Sequence, residues 1–279
     1  MEGSARILRL TFFFSLVLSW PAFAGQLFGD DWSALRAADI IVFGEVHDNP
    51  HHHANQAAAV AALRPGALVF EQITPELAAK ITPDLIADPE RLEAVLEWEE
   101  RGWPDFGMYY PIFAAAPDAA YFGGGAPIAD VRRAISEGAA DVFGDGAELF
   151  SLDQVFSDEV QATLEAIQRD AHCGALPEDM LPGMVEAQRF RDAYLARSAI
   201  AAHFEAVSDG WSPVVVITGN GHAGNDWGVP SMLRIQRMDL AVQSVGQLEQ
   251  LGPDDVPEFD HWLLTEAVER DDPCAALRK

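Results

Sequence analysis

The chain is short of cysteine, of basic residues and of long apolar runs, and each shortage removes a class of function. Its two cysteines, Cys173 and Cys274, stand far apart, so no CxxC-type metal site exists. Against 44 acidic residues there are only 18 Lys and Arg, a formal net charge of −26. A field of that sign repels polyphosphates and anionic membrane surfaces, and it excludes nucleic acid as a partner. Solubility is its first use, and attraction of cations a weaker one. Beyond the N-terminal segment no stretch is apolar for long enough to read as a transmembrane helix. Repeats and low-complexity tracts are absent too.

At the N-terminus, Arg6 and Arg9 precede an apolar run from Leu10 through Leu18, and Pro21-Ala22-Phe23-Ala24 supplies a small-x-small end. This predicts a secretory signal peptide over residues 1–24, with residues 25–279 as the mature chain. No cysteine stands at the cleavage point, so the expectation is a soluble periplasmic protein without a lipid anchor. In an oxidising compartment Cys173 and Cys274 are expected to pair, closing a long loop worth about 4 kcal/mol. Two free, buried thiols are the alternative.

What is present is a series of short apolar runs that each end in polar groups. Ile40-Ile41-Val42-Phe43 leads into Gly44-Glu45-Val46-His47-Asp48-Asn49-Pro50, with His51, His52 and His53 following. That reads as strand, turn and helix, Asn49 being the N-cap and Pro50 the first helical residue. The positive end of the helix dipole there disfavours imidazolium and biases the three histidines toward the neutral form. Ala67-Leu68-Val69-Phe70 is a second buried strand ending in Glu71-Gln72, and Ala119-Ala120-Tyr121-Phe122 a third, followed by Gly123-Gly124-Gly125. Thr74-Pro75 and Asp88-Pro89 start helices, the second running through Leu92, Val95, Leu96 and Trp98. Residues 157–209 show no strand signal and are expected to be helical, Ser157 capping the first helix. Val214 to Thr218 is a further strand ending in Gly219-Asn220-Gly221-His222, with late strands at Ala241–Val245 and His261–Leu264. The fold class is therefore α/β: a mostly parallel central sheet flanked by helices, in one domain over 25–279. A helical insertion is expected around 75–118.

In such a sheet the carboxyl ends of the strands share one edge, and ligands bind outside it. Glu45, His47, Glu71 and His222 are thus expected to converge, either on a divalent metal such as Zn or Mn or as an acid–base pair of a hydrolase. His172 and His203, alone on helices, read as structural, and His261 is assigned no role. Gly102-Trp103-Pro104-Asp105-Phe106-Gly107-Met108-Tyr109-Tyr110-Pro111 is dense in rings. Such rings pack a small helical unit by default. They could also form a platform for a planar ligand, with Tyr109 or Tyr110 as a phenolate for ferric iron. Arg189 and Arg191, on a long helix, offer guanidinium groups for carboxylates, unless they form ordinary ion pairs with neighbours such as Asp192.

Taken in order, GEVHDNPHHH, VFEQ, GWPDFGMYYPIF, HCGALP with MVEAQRFRDAYLA, and ITGNGHAGNDWGVP resemble the ChaN-like haem-binding uptake family. That family sits in a wider group with Tiki-type metalloproteases and erythromycin esterases. The resemblance spans nearly all of residues 25–279. It implies an exported haem-binding protein of iron uptake, with a homodimer forming on haem binding compatible with the family. Carried across, Glu45, His47, Glu71 and His222 fall on the group's shared acidic and histidine motifs. Tyr109 and Tyr110 lie in the segment that offers a tyrosine to haem, and Arg189, Arg191 or Arg132 would meet the propionates. Two departures stand out: no cysteine at the cleavage point, where ChaN-like proteins are often lipoproteins, and no asparagine in the Gly123–Gly125 loop.

Overall fold

The apolar runs become one seven-stranded sheet, in the order β1-β7-β6-β2-β5-β3-β4, in a computed structural model that describes residues 25–27, 31–208, 213–237, 239–253, 255–272 and 274–275. The expected signal peptide, residues 1–24, lies outside the described residues. The strands are β1 (Gly25–Gln26), β2 (Ile40–Glu45), β3 (Ala67–Phe70), β4 (Ala120–Gly123), β5 (Val214–Gly219), β6 (Val242–Leu248) and β7 (His261–Leu264). Every pairing among them is parallel, which completes the expected fold class. Only β1, two residues long, has no counterpart in the sequence reading.

Helix α1 (Pro50–Leu63) returns the chain from β2 toward β3. The segment before β4 holds α2 (Pro75–Ala78), α3 (Pro83–Ile86), α4 (Pro89–Val95) and α5 (Phe106–Ala115). Between β4 and β5 run α6 (Ile128–Glu137), α7 (Ala139–Phe143), α8 (Asp158–Ala171) and the long α9 (Leu181–Ser208); α10 (Asn220–Ala223) and α11 (Val229–Gln236) follow β5. Local chemistry sets the starts: Asn49 Oδ1 accepts from the His51 amide at 2.9 Å, and Ser157 and Asp88 cap α8 and α4 likewise. α4 is shorter than the sequence suggests, because Glu97 sits at φ 54° and breaks the helix before Trp98.

Both faces of the sheet are covered, as parallel strands require. Ile41, Phe43, Leu68, Phe70, Val215 and Ile217 point toward α1 and the aromatic segment of α5, where Phe70 stacks on Phe113 with centroids 4.4 Å apart. Ile40, Val42, Val69, Val214 and Val216 point the other way, onto α9 and α11. The triple glycine turns out to admit the chain's own backbone: a Cβ on Gly123 would lie 2.1 Å from the Thr74 carbonyl carbon.

Cys173, at the end of α8, is disulfide-bonded to Cys274, with Cα atoms 5.5 Å apart. The tail so tethered is held again by Arg270, which donates to Asp48 at 2.8 Å and to Glu249 at 2.7 Å. Replacing both cysteines by serine is expected to lower the unfolding free energy by about 4 kcal/mol, because the bond restricts the unfolded chain over a long loop while Arg270 already fixes the tail in the folded state. Urea denaturation of the oxidised protein and the variant measures it.

Candidate functional site

The sheet order places β5 between β2 and β3, so the three strand ends that carry the acids and imidazoles are neighbours. Glu45 is in register with Gly219, and the Glu71 amide donates to the Ile217 carbonyl at 3.0 Å. Glu45, His47, Glu71 and His222 therefore gather at one edge, as the sequence predicts, but they form two subsites with different jobs.

The first is centred on Glu45, which is buried. Its Oε1 accepts from the Tyr109 hydroxyl at 2.5 Å, from Gln72 Nε2 at 3.0 Å and from His47 Nδ1 at 2.8 Å, while Oε2 accepts from Gln56 Nε2 at 2.8 Å. His53 closes the layer by donating from Nε2 to the His47 carbonyl at 2.9 Å. Burial, then the Glu45 carboxylate, pushes the Tyr109 phenol far up, so it stays protonated. His47 is partly exposed, at 37% of its side chain, and its ring meets Trp103 edge-on with centroids 5.1 Å apart. Gly219 leaves room for it: a Cβ there would stand 3.0 Å from His47 Nε2. Burial alone would lower the His47 pKa, but the hydrogen bond to Glu45 and the charge of Glu71 raise it.

The second subsite is a buried ion cluster. Glu71 Oε2 accepts from Thr218 Oγ1 at 2.7 Å and from the Gly219 amide at 2.8 Å; Oε1 lies 2.6 Å from Arg191 and 3.3 Å from His222 Nε2. His222 Nδ1 donates to Asp192 at 2.5 Å. Burial disfavours an imidazolium at His222, yet Glu71 and Asp192 more than offset it and hold the pKa up at about 9. Burial likewise works to raise Glu71, but His222 and Arg191 bring it well below the usual range. Glu71 is thus paired with two cations, His222 and Arg191, and Arg191 keeps 38% of its side chain exposed.

The other expected residues fall outside. Tyr110 donates to the Ile86 carbonyl at 3.1 Å. Arg189 is buried away from the edge, bonded to Glu186 and to the carbonyls of Ser151, Leu152 and Gln154. Arg132 is exposed on α6. His52 is held neutral by burial and then by the neighbouring His53, which lower it to about 4; His51 is exposed. Zn or Mn does not fit the donor set. Glu45 and Glu71 are committed to hydrogen bonds, and among the described residues no group of three or more His, Cys, Asp or Glu is disposed to hold a metal ion.

Gln72, which the sequence places beside Glu71 at the end of β3, completes the site together with Asp192, which reads in the sequence only as an ion-pair partner, and Gln56, three positions after His53 on the buried stripe of α1. Beside the cluster lies a cavity of about 580 Å³ lined by Trp103, Ile128, Val131, Leu195, Arg101 and Arg191, with Glu71 and His222 in its wall. A second cavity, about 460 Å³, sits by Gly66 and Ala120 at the opposite edge.

Among solved structures the fold is similar to one described as cofacial haem binding to ChaN of Campylobacter jejuni. The identity is 19% and the TM-score 0.62, over 83% of this chain and 89% of that one. An erythromycin esterase in its open conformation is a remoter likeness, at 10% identity and TM-score 0.39 over 78% of this chain and 73% of that one. The type III effector HopBA1 gives 12% identity and TM-score 0.44, over 85% and 92%. None of the curated proteins matches the chain. Residues 32–233 match the family described as haem-binding uptake, Tiki superfamily, ChaN, and the chain belongs to that family.

Proposed function

We propose that this protein binds haem outside the cytoplasm and serves haem or iron uptake. Family membership supports the reading, and the observation that carries it in this chain is the cavity at the carboxyl edge. Its volume is that of a small-molecule site. Trp103, Ile128, Val131 and Leu195 give it an apolar wall, and Arg101 and Arg191 supply cations in a protein whose net charge otherwise repels carboxylates. The residues present thus fit a porphyrin with propionates: the wall would take the ring, and the two arginines the acids. Burial of the ring would provide most of the affinity. The disulfide supports an oxidising compartment.

Titrating the mature protein with haemin is expected to give a saturable, shifted Soret band. Trp103→Ala should weaken binding about tenfold and Arg101→Ala somewhat less, since one buried aromatic contact or charge-assisted hydrogen bond is worth about 1–2 kcal/mol. A linear, nonsaturable response in the wild type would end the proposal. Sedimentation velocity with and without haemin tests the homodimer that cofacial haems would require.

A further inference from the structure

Strand β4 ends the sheet on one side, and its outer edge keeps one hydrogen-bonding pair open. The Ala120 amide donates to the Gly66 carbonyl at 2.9 Å and the Gly124 amide to that of Phe70 at 2.8 Å, so these alternate residues bond inward, toward β3. Tyr121, between them, turns its N–H and C=O outward. Ser198 Oγ occupies the Gly123 carbonyl at 2.9 Å, whereas neither backbone group of Tyr121 has a partner among the described residues. A free edge of this kind templates the addition of another strand.

The surroundings decide which kind of strand. The edge is the floor of a groove of about 690 Å³, walled on one side by Pro75, Ala78 and Ala79 and on the other by Tyr194, Ser198 and Ala201 of α9. Such a recess admits a single extended chain between its small side chains, while a second copy would have to bring its own helices and a like charge of −26 against it. Two charges stand at the ends. The Arg197 guanidinium is stacked on Phe143 and Tyr194, 4.8 and 4.4 Å from the ring centroids, with no carboxylate paired to it, and the Glu205 side chain has no cation. Because α9 runs antiparallel to β4, Ser198 meets Gly123 while Glu205 lies by Ala119 and Ala120. Eight helical residues separate Arg197 from Glu205 by about 12 Å, the span of about four residues of extended chain.

We propose that the β4 edge binds an extended peptide of a partner protein by strand addition at Tyr121, with an acidic residue at the Arg197 end and a basic one about four residues away at the Glu205 end. Main-chain pairing supplies the affinity and the two charges fix the polarity. The groove shares no lining residue with the cavity beside Glu71, so this inference stands apart from haem binding.

The test uses two capped hexapeptides with valine and threonine inside, aspartate at one end and lysine at the other, in either order. They are titrated into the mature protein by fluorescence anisotropy while NMR hydrogen exchange follows the Tyr121 amide. At least one order is expected to bind saturably and to slow that amide at least tenfold. Ala201→Trp, which fills the groove, should abolish binding, with circular dichroism reporting that the variant is folded. Arg197→Glu should weaken binding about threefold, the worth of a surface ion pair, and a peptide carrying lysine in place of the aspartate should restore it. Failure of both peptides to saturate, or saturable binding that leaves the Tyr121 amide unprotected or survives Ala201→Trp unchanged, overturns the proposal. So does self-association in sedimentation velocity that Ala201→Trp removes, which would assign the edge to a second copy.

Discussion

Glu45→Ala is expected to lower the unfolding free energy by about 3–5 kcal/mol, the cost of leaving several buried donors without their common acceptor. The Tyr109 hydroxyl, Gln72 Nε2 and Gln56 Nε2 all point at this one carboxylate. Gln56 has a fallback in the Phe43 carbonyl at 3.3 Å, whereas Tyr109 is left only with the His47 carbonyl at 3.4 Å. Neither replaces a short bond to a charge. Tyr109→Phe removes one donor and leaves the carboxylate its other partners, so it should cost about 1–2 kcal/mol. Added to Glu45→Ala it should cost almost nothing, giving a coupling of about 1–2 kcal/mol in a double-mutant cycle. Urea denaturation of the four proteins measures all of this. A Glu45→Ala protein within about 1 kcal/mol of wild type would mean that the hub is not what holds this corner together.

That three strand ends meet was legible because parallel strands put all their carboxyl ends on one edge, whatever their order. The order itself was not: nothing local in Val214–Gly219 says that β5 inserts between β2 and β3, which is what brings His222 to Glu71 rather than leaving it a strand away. Helical residues were harder to place. Arg189 and Arg191 are separated by about 200° around α9 at 3.6 residues per turn. One of the two therefore had to miss the edge, and only the packing of α9 on the sheet decides that it is Arg189. Tyr109 and Tyr110 differ by about 100° on α5 by the same geometry, which sends one hydroxyl to Glu45 and the other to Ile86. Asp192 looked like any ion-pair partner until the helix rotation aimed it at His222.

The buried cluster should also make stability fall on the alkaline side of neutrality. His222 has a folded pKa of about 9, raised above the model-peptide value of 6.5. A group raised in this way contributes its full stabilisation below pH 6.5 and loses it as pH climbs through about 9. Asp192 is raised too, by burial, and His47, raised, despite its burial, by the hydrogen bond to Glu45 and the charge of Glu71, gives up stability in the same direction as pH climbs. His222, with the larger shift, dominates the alkaline limb, on the order of 3 kcal/mol between pH 6.5 and 9.5. Acid acts through other groups. His52, depressed to about 4, and Glu71, held below the usual carboxylate range, both give stability that is present at neutrality and disappears as pH falls. A maximum close to pH 6.5 follows. His222→Gln should be less stable than wild type at pH 6.5, because Asp192 and Glu71 lose their shared cation, yet nearly level with it at pH 9.5, where the wild-type imidazole is itself neutral. Asp192→Asn should lower the His222 titration midpoint, which the imidazole proton resonances report directly. If the alkaline limb survives intact in His222→Gln, the proton lost above neutrality belongs elsewhere and the imidazolium between Glu71 and Asp192 is not the group that sets it.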